Sequence, residues 1–349
     1  MTFPARWRHA LPWEKSKQTL YAVLRKLQLH EALARRPGLH DVVTVLNLHR
    51  VSPQADPFWG ALHPTHFDEL LTFLKRRFSL TLFRELSQRF KRPPLILSFD
   101  DGYYDFIEYA LPLLKKHRAP ANQNVIGACV LSGEPPWNVK MYDALQAAPR
   151  ALLNSFRPAG FLAPHVDESG KSQQRYGLAL SRFLKNRPHQ ERAPHLEALM
   201  AHLQNVDRAP TRMLGLGGIQ ALGDTIELGC HSFSHESMGY ESDAFFLEDV
   251  AKCQTFFATT LRKPLQVYAF PNGSHRSSQI DHLLQASIEH VLLVGERYTP
   301  LDARVCERIT ISGQSAAETC LQAVGLRQVL SSRSSAPHRF FDSLASEQP

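Results

Sequence analysis

The run Pro94-Leu95-Ile96-Leu97-Ser98-Phe99 ends on Asp100-Asp101-Gly102, and this junction constrains the 349-residue chain more than any other segment. Six nearly continuous apolar residues are short for a helix and fit a strand buried on both faces. Such a strand implies parallel neighbours with helices packed over them. Two adjacent carboxylates at its mouth are costly unless a cation or a proton shares the site. Gly102 lets the backbone turn so that both side chains can face that mouth. A helix N-cap would also use an aspartate, although one would suffice.

The chain around this junction alternates strand and helix. Strands are expected at 42–48, 94–99, 124–130, 225–230, 265–270 and 290–294, with helices from 65, at 104–117, at 243–261 and at 277–288. This rhythm predicts an α/β fold built on parallel strands, with its site at the strand C-termini. Residues 131–215 break it. They carry helical segments near 140–155 and 174–204, with Pro158, Pro164, Pro188 and Pro194 as breakers, and read as an inserted helical subdomain. An N-terminal arm over 1–40 is helical from 16 to 36 and stops at Pro37-Gly38. The segment 313–349 reads as a weak helix and then a loose Ser/Arg/Ala-rich tail.

The net charge of +7 suggests a nucleic-acid partner until it is located. Arg6, Arg8, Lys15, Lys17, Arg25, Lys26, Arg35 and Arg36 stand against Glu14 and Glu31, so the arm carries nearly all of it. The body over 41–349 is close to neutral, and no nucleic-acid partner is expected. A basic arm suits anionic lipid or simply a solvated face, which allows peripheral contact with the inner face of a membrane. No stretch has the 18 or so apolar residues of a membrane span. The apolar run 19–24 is too short for a secretory signal. Cys129, Cys230, Cys253, Cys306 and Cys320 are scattered, odd in number and free of any C-x-x-C pair. Together these features predict a cytoplasmic protein with reduced thiols.

Two further segments stand at predicted strand ends. In His231-Ser232-Phe233-Ser234-His235, histidines four apart can reach one metal, although two unrelated solvated histidines would look the same. In Tyr268-Ala269-Phe270-Pro271-Asn272-Gly273, proline and glycine fix a tight loop whose backbone N–H groups can face a pocket; an ordinary turn is the alternative.

Taken together, the segments resemble the polysaccharide deacetylase family, carbohydrate esterase family four, over roughly residues 41–312 with 131–215 inserted. Ser98 to Gly102 is similar to its T-F-D-D-G motif, with Ser for Thr, and His231 to His235 matches H-[S/T]-x-x-H. The resemblance implies a distorted (β/α) barrel that hydrolyses N-acetyl groups on acetylated amino-sugar polymers or their precursors. It implies Asp100 as catalytic base, Asp101, His231 and His235 as ligands of a divalent ion (Zn2+ by the ligand set), and the Asn272 N–H, flanked by Pro271 and Gly273, as an oxyanion donor.

The chain also departs from the family. The Arg expected two residues before Pro271 is Ala269, for which Arg308 is a candidate substitute. No histidine follows the last predicted strand, where the family keeps its general acid. Leu46-Asn47-Leu48-His49-Arg50-Val51 resembles a Y-H-x-V strand of the subgroup that includes biofilm poly-N-acetylglucosamine deacetylases, which implies His49 as the acid in preference to His275. Trp59 and Trp137 are candidate sugar-stacking faces, with burial the alternative for either. Cys230 reads as a core residue rather than a thiolate ligand. A second functional class stays open: a sugar-binding or scaffold protein on the same fold with impaired turnover, for which Ala269 speaks.

Overall fold

The computed structural model describes residues 12–58 and 60–332. Its strands are β1 (Val42–Leu48), β2 (Ser79–Leu80), β3 (Pro94–Phe99), β4 (Ala121–Val125), β5 (Ile226–Cys230), β6 (Val267–Ala269), β7 (His290–Val294), β8 (Thr299–Pro300) and β9 (Val305–Thr310). Seven of them close a ring of parallel strands in the order β1-β3-β4-β5-β6-β7-β9, and β9 returns to β1. β2 extends β3, while β8 runs antiparallel beside β1. With helices around it, this is the distorted (β/α) barrel expected from the sequence.

Closure is what assembles the mouth. β1 and β3 pair with Leu48 opposite Phe99, and Asp100 N donates to Leu48 O at 2.9 Å. His49 and Asp100 therefore leave neighbouring strands at the same level. On the other side of β1, Asn47 pairs with Thr310 of β9, which brings residues near 308 to the same region.

The sequence misplaces one strand. β4 covers 121–125 rather than 124–130, and Gly127–Ser132 is a helix. The residues Ala121-Asn122-Gln123, ahead of the strand expected at 124–130, are largely polar, yet every one is buried. Asn122 accepts from Ser98 Oγ at 2.8 Å and donates to Glu227 O at 3.2 Å, so its polarity is satisfied inside the ring.

The insertion is helical as expected, with helices at Trp137–Ala147, Arg150–Ser155, Gly170–Lys185 and His189–His202. Pro194 sits inside the last of these rather than breaking it. Phe58, Met141, Leu145, Leu153, Tyr176, Leu180, Leu199 and Leu203 bury one another as a core separate from that of the barrel. Phe58 stacks on Tyr142 with centroids 4.9 Å apart.

The described parts of both terminal segments, 12–40 and 313–332, are more tightly held than the sequence suggests. Helices Pro12–Lys26 and Leu29–Leu33 replace the single helix expected over 16–36, and Ala316–Ala323 packs against the first of them and against Pro64–Arg77. Cys320, Leu321 and Ala323 are fully buried there. Gln18 donates to Glu318 at 2.7 Å and Lys17 pairs with it at 3.0 Å. The arm is thus docked along much of its length, which leaves less of it available to a membrane surface. No helix among the described residues is long and apolar enough to cross a membrane. Residues 1–11 of the arm and the tail from 333 onward lie outside the described residues.

Candidate active site

The ring brings Asp100, Asp101, His231 and His235 together at the C-terminal ends of β3 and β5. Asp101 has φ 72° and Gly102 φ 79°, and the chain reverses tightly enough for Gly102 N to donate to Asp100 O at 2.9 Å. That reversal gives the two carboxylates different partners. Asp100 Oδ1 accepts from Asn124 Nδ2 and from Arg308 Nη1, both at 2.8 Å. Asp101 Oδ1 instead lies 3.4 Å from His231 Nε2 and 3.2 Å from His235 Nε2. Neither of those approaches has hydrogen-bond geometry.

The histidine loop is held in an uncommon backbone shape, with Ser232 at φ 59° and His235 at φ 60°. Asp249, buried on the helix Asp243–Thr255, fixes it. Its carboxylate accepts from Phe233 N at 2.9 Å, Ser234 N at 3.0 Å and Ser234 Oγ at 2.6 Å. Ser232 Oγ closes the turn by accepting from His235 N at 2.8 Å. Sequence reasoning missed Asp249. The available signal was an acidic residue at a core position, three after Phe246 and four before Cys253 on one helix face.

The electrostatics fit a cation. His231 Nδ1 donates to Ala269 O at 3.0 Å, so its Nε2 lone pair faces Asp101. Burial lowers the His231 pKa to about 4, against the pull of Asp100 and Asp101, and the ring is neutral near neutral pH. Burial opposes ionisation of Asp100, but Arg308 and His231 outweigh it and hold the carboxyl at about 2. Asp101 is likewise held below the usual carboxylate range, burial being overcome chiefly by His235. Among the described residues, Asp101, His231 and His235 form the one group whose ligand atoms all lie within 4.8 Å of one another. Two imidazoles and a carboxylate, with Asp101 Oδ1 buried and accepting no hydrogen bond, are a donor set that could hold a divalent ion.

The family model described as polysaccharide deacetylase matches residues 217–291, the segment holding both histidines and the Pro271 loop. The fold is similar to IcaB from Ammonifex degensii, with 16% identity, TM-score 0.51, and 81% of this chain and 97% of that one covered. It is also similar to BC0361, a polysaccharide deacetylase from Bacillus cereus, with 12% identity, TM-score 0.51, and 81% and 69% covered. The barrel is a polysaccharide deacetylase fold. No curated protein sequence matches the chain.

Within this deacetylase fold, Arg308 on β9 stands on Asp100, while Ala269 on β6 is a fully buried core residue. Arg308 is fully buried, its Nε donates to Leu293 O at 3.2 Å, and its Nη1 reaches the Asp100 carboxylate. The candidate substitute for the missing arginine thus makes an ion pair with the expected base. His49 is half-buried; desolvation lowers its pKa, while Asp101 and Asp100 pull it back up. Arg50 beside it is clamped by Asp105 at 2.7 Å and Asp56 at 2.8 Å. His275 is turned into its own loop, with Nδ1 3.1 Å from Gly273 O and its ring against Phe270.

The remaining sequence candidates divide. Asn272, at φ 57°, follows buried Pro271, and its side-chain Nδ2 donates to Ser237 Oγ at 3.1 Å; Gly273 continues the turn at φ 64°. Trp137 is not the exposed stacking face expected of it. It is 7% exposed, Arg192 covers its ring, and its Nε1 donates to His235 O at 3.2 Å. Trp59 lies outside the described residues. Cys230 is a fully buried core residue. Lys185, at the end of an insertion helix, was not anticipated. Desolvation lowers its pKa to about 8, with Asp101 pulling it back up.

Proposed function

We propose that this chain is a metal-dependent deacetylase that removes N-acetyl groups from amino sugars of a polysaccharide or of a glycan precursor. The observation that carries this is Arg308 holding an ionised Asp100 beside the Asp101–His231–His235 set. A Zn2+ or similar ion on those three residues supplies Lewis acidity toward the acetyl carbonyl and toward water. Asp100 Oδ1 is engaged by Asn124 and Arg308, which leaves Oδ2, 3.9 Å from His231 Nε2, to accept a water proton as general base. The Asn272 N–H is the oxyanion donor, set by the left-handed turn after Pro271. His49, level with Asp100 across the β1–β3 pair, protonates the departing amine.

The five cysteines are buried and free, which supports a reducing compartment and hence a cytoplasmic setting with a precursor rather than a finished wall polymer as substrate. A sugar-binding scaffold without turnover would need neither an ionised base nor its arginine. The test is acetate release from N-acetylated chito-oligosaccharides before and after chelation, with Zn2+ restored. Chelator-sensitive release is expected. Binding of the oligosaccharide with no release under any metal would establish the scaffold instead.

A further inference from the structure

The insertion reaches the mouth through the loop that carries the second histidine. Trp137, the first residue of its leading helix, donates from Nε1 to the carbonyl of His235 at 3.2 Å. Arg192, on the helix His189–His202, stacks its guanidinium 4.3 Å from the centroid of that indole. The same guanidinium makes two bonds to the carboxylate of Glu236, the next residue after His235, through Nη1 to Oε2 and Nη2 to Oε1. Arg192 is 2% exposed and Glu236 3%. His189 adds Nδ1 at 3.3 Å from Glu236 Oε1 and a backbone N–H to Glu241 Oε1 at 2.6 Å.

These contacts fix the His235 peptide from every side. Ser232 Oγ holds its N–H, Trp137 holds its C=O, and Arg192 anchors the residue that follows, all around a φ of 60° that an unsupported loop would leave. A fully desolvated ion pair is weak evidence for stability, since apolar residues of similar volume commonly replace such pairs without loss. Its location argues for orientation: bidentate arginine geometry fixes direction as well as distance. Partners behind metal-ligating histidines have this effect on the ligands they touch.

We propose that Trp137, Arg192 and Glu236 are positioning residues for His235, so that the insertion, and not the barrel alone, sets where this ligand stands. The proposal rests on the metal-dependent reading above. Its test is calorimetric Co2+ titration of the full, metal-stripped chain, with the visible spectrum of the Co2+ form recorded alongside. Trp137→Phe removes the indole donor and keeps the apolar ring. The pair R192M/E236L removes both charges together and keeps the volume. Each is expected to weaken Co2+ binding roughly 10- to 100-fold, to alter the Co2+ spectrum and to lower kcat with KM within about twofold. Arg192→Lys, which keeps the charge and loses the fork, should fall between these variants and the unaltered chain. Leu153→Ala, which loosens the insertion core away from the clamp, should leave the spectrum as it is. Co2+ affinities equal to that of the unaltered chain, or a matching loss in Leu153→Ala, would overturn the positioning role. If the unaltered chain itself binds no Co2+, the metal-dependent reading fails and takes this proposal with it.

Discussion

The interior of the barrel and the interior of the insertion are built on opposite principles. Inside the barrel, Ser98 donates to Asn122, Asn124 donates to Ser98 and Asp100, and Arg308 closes on Asp100, all fully or nearly fully buried. Inside the insertion, Met141, Leu145, Leu153, Leu180, Leu199 and Leu203 meet only as apolar bodies. An apolar core of the right volume tolerates repacking. A buried polar network does not, because each donor has few acceptors and each unmade bond is costly. The insertion therefore spends its specificity at its surface, on the contacts to His235 and Glu236, whereas the barrel spends it at the centre.

Six substitutions probe that contrast, from the largest effect on turnover to the smallest. His231→Ala or His235→Ala should abolish activity and strip the metal, because two ligands hold a divalent ion poorly; undiminished metal by elemental analysis in both would remove the ligand assignment. Asp100→Asn should keep the metal and lose about 100-fold or more in kcat, the usual worth of a general base. His49→Ala should also keep metal and cost roughly 100-fold on an N-acetyl sugar, while an activated acetate ester, whose leaving group needs little protonation, is spared. Equal losses on both substrates would give His49 a structural part only.

Arg308→Met addresses the centre of the barrel directly. Asp100 titrates at about 2 in the folded chain against 3.8 for an ordinary aspartate. It therefore adds stability that is present above the ordinary value and disappears as pH falls through about 2. Without Arg308, burial dominates, the folded pKa rises, and both this stability and the acid limb of activity are lost at higher pH. Removing one partner of a buried pair costs about 3–5 kcal/mol. Urea unfolding of metal-free protein between neutral and acid pH checks the sign; an unmoved profile would show that Arg308 does not set the base. Leu153→Ala, fully buried in the insertion, should cost about 2–5 kcal/mol of stability and leave kcat of the folded chain unchanged. A fall in kcat at temperatures where the variant is folded would mean that the insertion acts on the site as a whole and not through the Trp137–Arg192–Glu236 contacts.

What was legible follows the same division. β1, β3 and β7 occur where the sequence places them because their residues form continuous apolar runs. The Asp and His motifs were legible as pairs at predicted strand ends and through their resemblance to the family's motifs. β4 and β9 were not, since Asn122, Asn124 and Arg308 make side-chain bonds to partners far away in sequence. The Arg192–Glu236 pair was hidden for the same reason. Trp137 was visible as an aromatic residue, but its burial depended on Arg192, which no local pattern couples to it.

Arg308 meets Asp100 across 208 residues of chain. During synthesis, both aspartates and both histidines emerge long before the arginine, and β9 must slot between β7 and β1 before the ring shuts. Until that late step the proposed base has no guanidinium to hold it ionised, so a nascent or truncated chain stopping short of residue 308 carries every proposed metal ligand and lacks the counter-charge. Contacts so distant in sequence also make closure slow. On the proposed function, competence for turnover thus arrives last, as the barrel is sealed.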